Sequence, residues 1–135
     1  MVKMTGEYQG DLHCTAIHGP SGTALATDAP KDNHGRGESF SPTDLLATAL
    51  ATCIATTMAL AARVHQVDLK GLRYEVTKEM SATPPRRIAR LAVELWLPPA
   101  ARNVPAGVLE KAAHSCPVHR SLAAEVDQVI TLHWE

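Results

Sequence analysis

The chain has 135 residues, 45% of them hydrophobic and 20% charged, with 13 lysines and arginines against 14 aspartates and glutamates. This length holds one domain, residues 1–135, around one core; the near-neutral charge argues against nucleic acid as a partner, since the one dense basic run, PPRRIAR, has no interleaved aromatics. No tract reaches the roughly 18 consecutive apolar residues of a membrane span, and the opening MVKMTGEYQGD lacks an apolar stretch of signal-peptide length, so a cytoplasmic location is expected.

Alternation from Met4 to Ile17, the HGPSG turn and the run TALATDAP predict two strands joined as a hairpin. Residues 30–41, PKDNHGRGESFS, mix turn formers with charges and show no periodicity, which predicts an exposed loop ending in a short strand. Within it Arg36 stands close to Glu38. A guanidinium can hold a thiolate and orient a peroxide or carboxylate, with an acid fixing its fork; a solvated loop would carry the same residues without such a role.

The strongest segment is SPTDLLATALATCIATTMALAARVH. Ser41 suits an N-cap, Pro42 the first helical position and Asp44 the positive end of the helix. A helix of about six turns is predicted. Leu46, Leu50, Cys53, Ile54 and Met58 form its apolar stripe, and alanines and threonines fill the rest. A helix of such small residues can be packed on nearly every side, which places it at the centre of the fold.

GLRYEVTKEM and IARLAVELWL alternate cleanly around SATPPRR and predict a hairpin. Asn103 can cap a short helix from Val104 to about His114, Pro117 can open another from Val118 to Glu125, and VITLHW reads as a closing strand. Strands in hairpins around a long helix argue an α+β fold with antiparallel sheets.

Three cysteines without an export signal do not form a disulfide scaffold and are weighed singly. In AHSCPVHRSL, Cys116 precedes Pro117, so it occupies the N-cap of a helix, beside unpaired backbone N–H groups that stabilise a thiolate. It reads equally as a small buried residue before a proline turn. A metal site would need His114, Cys116 and His119 to converge, yet no second ligand pair stands at zinc spacing. Cys53 lies on the apolar stripe, several turns beyond the helix start, where a thiol is ordinarily core filling. Together, Cys53 and Cys116 could instead form a reversible disulfide. Cys14, beside His13 in the first predicted strand, has no activating neighbour and reads as structural.

With SPTDLLATALATCIATTMALAAR followed by AHSCPVHRSL, the sequence resembles the OsmC/Ohr family of osmotically inducible and organic hydroperoxide resistance proteins. The resemblance implies intertwined α+β homodimers that reduce organic hydroperoxides with a cysteine pair. Cys53 then matches the peroxidatic cysteine and Cys116 the resolving one, with Arg36 as candidate for the catalytic arginine. Where the family has an arginine-orienting glutamate this chain has Thr43, with Asp44 beside it. Asp44 lies about 13 Å along the helix and half a turn round from Cys53, so Asp44 or Glu38 would have to act through an arginine or a partner subunit. The resemblance further implies an external dithiol reductant, lipoyl-type or another small thiol, and neither metal nor flavin. Thr43 points to a divergent branch, and keeps open a weakly active or non-enzymatic member that binds a small hydrophobic ligand or senses redox state.

Overall fold

Gly10, Asp11 and Leu12 all adopt positive φ, at 82°, 57° and 57°. This left-handed turn, closed by the Gln9 N–H donating to the His13 carbonyl at 2.9 Å, cuts the predicted first strand in two. In the computed structural model, which describes residues 1–135, the N-terminal segment therefore forms three strands: β1 (Met4–Tyr8), β2 (His13–His18) and β3 (Ala24–Asp28). They pair antiparallel in the order β1-β2-β3. The third strand comes from that split, and the loop after Pro30 supplies none; it holds only a 3-10 turn at Lys31–Asn33.

The loop is nonetheless tied down. Gly35 donates its N–H to the Pro30 carbonyl at 2.9 Å, Gly37 to Ala29 at 3.2 Å, and Asp28 to Phe40 at 3.1 Å. A Cβ on Gly35 would collide with the backbone of Ala29, so the close approach requires glycine there.

The chain divides into two units, residues 1–46 and 47–135. Helix α1 (Pro42–Arg63) begins in the first and continues through the second. Its start is a reciprocal cap: the Ser41 N–H donates to Asp44 Oδ2 at 2.9 Å and the Asp44 N–H to Ser41 Oγ at 3.0 Å. With 22 residues and a mean hydropathy of 1.9, α1 is long and apolar enough to cross a membrane, although its threonines interrupt any continuous apolar run. Its buried residues Ala47, Leu50, Ala51, Ile54, Met58 and Ala62 belong to the same core as the strands that follow.

Those strands are β4 (Arg73–Met80), β5 (Ile88–Leu97) and β6 (Asp127–Trp134), with β5 in the middle. β4 and β5 form the predicted antiparallel hairpin, and Leu91, Val93 and Leu95 point into the core. β6, expected to complete an antiparallel sheet, instead runs parallel to β5. The reason is the connection: residues 98–126 form a crossover long enough to return the chain to the starting end of β5.

Within the crossover the predicted helices are shorter and displaced. Asn103 ends a 3-10 turn (Pro99–Asn103) instead of capping a helix, since Val104 is extended and Pro105 follows. Helix α2 (Val108–Ala113) begins after Gly107, whose φ of 85° turns the chain. Helix α3 (Pro117–Ser121) starts at Pro117 as expected but ends at an extended Leu122.

Candidate functional site

In the second unit Cys53 and Cys116 come together. Cys53 is half-buried on α1, and its side chain stands close enough to the Cys116 thiol to push it upward. Cys116 is completely buried at the N-cap of α3, where its sulfur accepts the His119 backbone N–H at 3.2 Å. Proline at the first helical position makes this geometry natural: it needs no donor of its own and sets the chain for the turn that aims the His119 N–H back at the sulfur.

Two influences compete at Cys116. Burial pushes its thiol above the ordinary value of 9.0, and the adjacent Cys53 adds to that rise; the N–H groups of His119 and Val118 pull the other way and lose. The helix-start argument from sequence therefore identified the right donors and the wrong winner. Cys116 is held as a protonated thiol, suited to the second step of a two-thiol reaction.

Cys53 opens onto a groove of about 560 Å³ lined by Ala49, Thr52, Thr56, Thr57, Leu60 and Pro117. Thr52 and Thr56 turn their hydroxyls back onto helix carbonyls, at 2.9 Å to Thr48 and 2.8 Å to Thr52 respectively. Their O–H donors are used inside α1, and most of the groove wall is apolar. A small organic molecule could therefore approach a partly exposed thiol through apolar surroundings.

Of the other candidates, Arg36, Glu38 and Asp44 belong to the first unit. Arg36 Nε lies 3.7 Å from Asp28 Oδ1, a residue the sequence reading passed over, and not against Glu38. Asp28 is buried and also bonds His13 Nδ1 at 2.6 Å. This hydrogen bond chiefly holds its carboxyl below the ordinary 3.8 against the opposing effect of burial, with the electrostatic influence of His13 and Arg36 and the Glu38 backbone N–H assisting. Glu38 itself is exposed, and Asp44 caps α1. The one sequence hint of Asp28 was a lone acid closing a run of small apolar residues.

Cys14, read as structural, is exposed on β2 and fills no core. No group of three or more His, Cys, Asp or Glu side chains is arranged to hold a metal, so His114, Cys116 and His119 do not converge as ligands. Sequence reasoning weighs His119 only as a metal ligand and gives Gln128 no role. His119 Nδ1 and Gln128 Oε1 are 2.6 Å apart, and the His114 ring meets the His119 ring edge-on at 5.8 Å.

The OsmC-like protein family model matches residues 35–131. The chain belongs to the OsmC-like family. No curated protein matches it. Among solved structures, this OsmC-like chain is similar to a Psychrobacter arcticus protein described provisionally as an osmotic stress induced and detoxification response protein, with 38% identity, a TM-score of 0.87, and 98% of this chain and 96% of that one covered. An organic hydroperoxide resistance protein OsmC from Legionella pneumophila matches with 17% identity and a TM-score of 0.77, over 98% and 96%. An OsmC-like protein from Mycoplasma pneumoniae matches with 20% identity and a TM-score of 0.76, over 99% and 96%. At those lower identities the likeness is one of fold, and the OsmC-like fold is what this chain has: α+β, two small sheets and one long helix.

Proposed function

We propose that the protein is a thiol-dependent peroxidase that reduces organic hydroperoxides with Cys53 and Cys116. The observation that carries this reading is the adjacency of the two thiols, one buried and protonated, the other partly exposed at an apolar groove. The OsmC-like family, with an organic hydroperoxide resistance protein among the structures this chain is similar to, supports it.

In the first step the Cys53 thiolate attacks the outer oxygen of ROOH. The O–O bond breaks, the alkoxide takes a proton and leaves as ROH, and Cys53 becomes a sulfenic acid. The Cys116 sulfur then attacks the sulfenic sulfur, its proton leaves with the hydroxide as water, and a disulfide remains. An external dithiol supplies the two electrons and two protons that restore both thiols while it becomes a disulfide itself. The groove walls favour an alkyl hydroperoxide over hydrogen peroxide, because apolar surface is covered only by the former.

One equivalent of tert-butyl hydroperoxide should produce a Cys53–Cys116 disulfide in peptide maps and leave Cys14 alkylatable. Cys53→Ser should abolish consumption; Cys116→Ser should allow one turnover and leave a trappable sulfenic acid. Arg36→Ala tests the role that the family resemblance implies for this cation, and slower Cys53 oxidation with an intact fold is expected. If both thiols stay reduced in folded protein, the peroxidase reading is wrong. The second reading, an OsmC-like protein that binds a small hydrophobic ligand or senses redox state, is favoured by Thr43 at the position of the family glutamate. It predicts slow oxidation and no sustained turnover with a dithiol.

A further inference from the structure

We infer that Gln128 is a positioning residue for the thiol pair: from β6 it holds the His119 backbone N–H on the Cys116 sulfur and so makes that sulfur a better leaving group when a dithiol reopens the disulfide. The inference rests on the redox reading of the pair and concerns its reductive half.

Gln128 is out of place by pattern. It pairs in register with Leu91 on β5, and the next residues on its side of the strand, Ile130 and Leu132, pair with Val93 and Leu95. Leu91, Val93 and Leu95 are all buried, so Gln128 occupies the core-facing side of β6, where an amide is costly unless it is hydrogen-bonded. Both ends of its amide are used on one residue. Nε2 donates to the His119 carbonyl at 3.2 Å, and Oε1 meets His119 Nδ1 at 2.6 Å. Because Nε2 is the donor, Oε1 can only accept, which makes Nδ1 the protonated ring nitrogen.

His119 is thus held by its ring and its backbone, and its N–H donates to the Cys116 sulfur at 3.2 Å, with the Val118 N–H making the smaller contribution. Helix α3 has only five residues. A single turn does not hold its own geometry in water, since nucleation is unfavourable and too few bonds follow to offset it. The direction of the His119 N–H, which the turn at Pro117 sets, is therefore held in place from outside the helix, by Gln128.

The effect falls on one step. A dithiol thiolate attacks the accessible Cys53 sulfur, forming a mixed disulfide while the S–S bond to Cys116 breaks and its electron pair leaves on the buried Cys116 sulfur. The second dithiol sulfur then closes on the first and releases Cys53. The rate of the first displacement depends on how well the leaving thiolate is stabilised, and the His119 N–H stabilises it where water is excluded.

The test uses the full chain with Cys14→Ser and forms the disulfide with diamide, so that it does not depend on peroxide reactivity. Gln128→Met keeps the length of the side chain and removes both hydrogen bonds. Reopening by dithiothreitol should slow about three- to tenfold, the size expected for one lost hydrogen bond, while the first reaction with tert-butyl hydroperoxide is unchanged. His119→Phe keeps a ring against His114, loses the Nδ1 donor, and should slow reopening likewise. Ser121→Ala, which removes the 2.7 Å bond from Ser121 Oγ to the Pro117 carbonyl within α3, should not. With Cys53→Ser added, the Cys116 thiolate absorbance should titrate about 0.5–1 pH unit higher in Gln128→Met. Unmoved reopening and titration in both Gln128→Met and His119→Phe overturn the proposal, as does an equal slowing by Ser121→Ala, which would mean that any loosening of α3 suffices. Wild-type protein inert to peroxide, with the Gln128 effects intact, would instead reject the peroxidase reading and uphold the positioning role.

Discussion

Burial and two backbone N–H groups act on Cys116 in opposite directions, and the outcome has a pH signature. Its thiol is raised above 9.0 in the folded chain, so the unfolded chain gives up this proton first. The associated stability is complete below about pH 9 and is lost as pH rises through the folded value. Melting temperatures of wild type and Cys116→Ser, measured from pH 7 to 10.5, should therefore converge or cross above pH 9 as the wild type alone loses this contribution. Parallel curves over that range would mean that the thiol is not raised. The two cysteines were legible in the sequence because each sits at a position with a local meaning, a helix start and a helix stripe. Gln128 and Asp28 were not, because their roles lie in contacts with residues distant along the chain or hidden by an ordinary strand pattern.

Helix α1 shows what local chemistry alone can specify. The Ser41 and Asp44 cap closes at 2.9 and 3.0 Å, where serine, proline and acid stand in the expected order. Ser41→Ala should cost about 1 kcal/mol in urea unfolding, and Ser41→Asp should recover most of it; a loss near zero would show that the cap is redundant. The β4–β5 hairpin was equally legible from alternation around a proline-rich turn. Three other features were not. The break at Gly10–Leu12 was overridden by the alternation on either side of it. The direction of β6 depends on the crossover, which carries no periodicity of its own. The start of α2 is expected too early, since the extended Val104, Pro105 and the turn at Gly107 delay it to Val108, and the end of α3 too late, since the chain is extended from Leu122.

At the scale of the whole molecule, α1 keeps Leu60 56% exposed beside the groove at Cys53. We expect a second copy of the chain to cover apolar surface of this kind, in line with the homodimers the family resemblance implies. Sedimentation equilibrium at micromolar concentration should give the mass of two chains, and a stable monomer would reject that assembly. The long crossover between β5 and β6 has one more consequence. Because it delivers Cys116 to a residue on α1 far behind it in the chain, the proposed disulfide would close a loop of about 60 residues and remove about 4 kcal/mol worth of conformational freedom from the unfolded chain. Oxidised protein should then melt well above reduced protein and resist proteases longer. Each peroxide would leave behind a temporarily toughened molecule, and each dithiol would soften it again, so that protease resistance itself becomes a gauge of how much of the protein is oxidised.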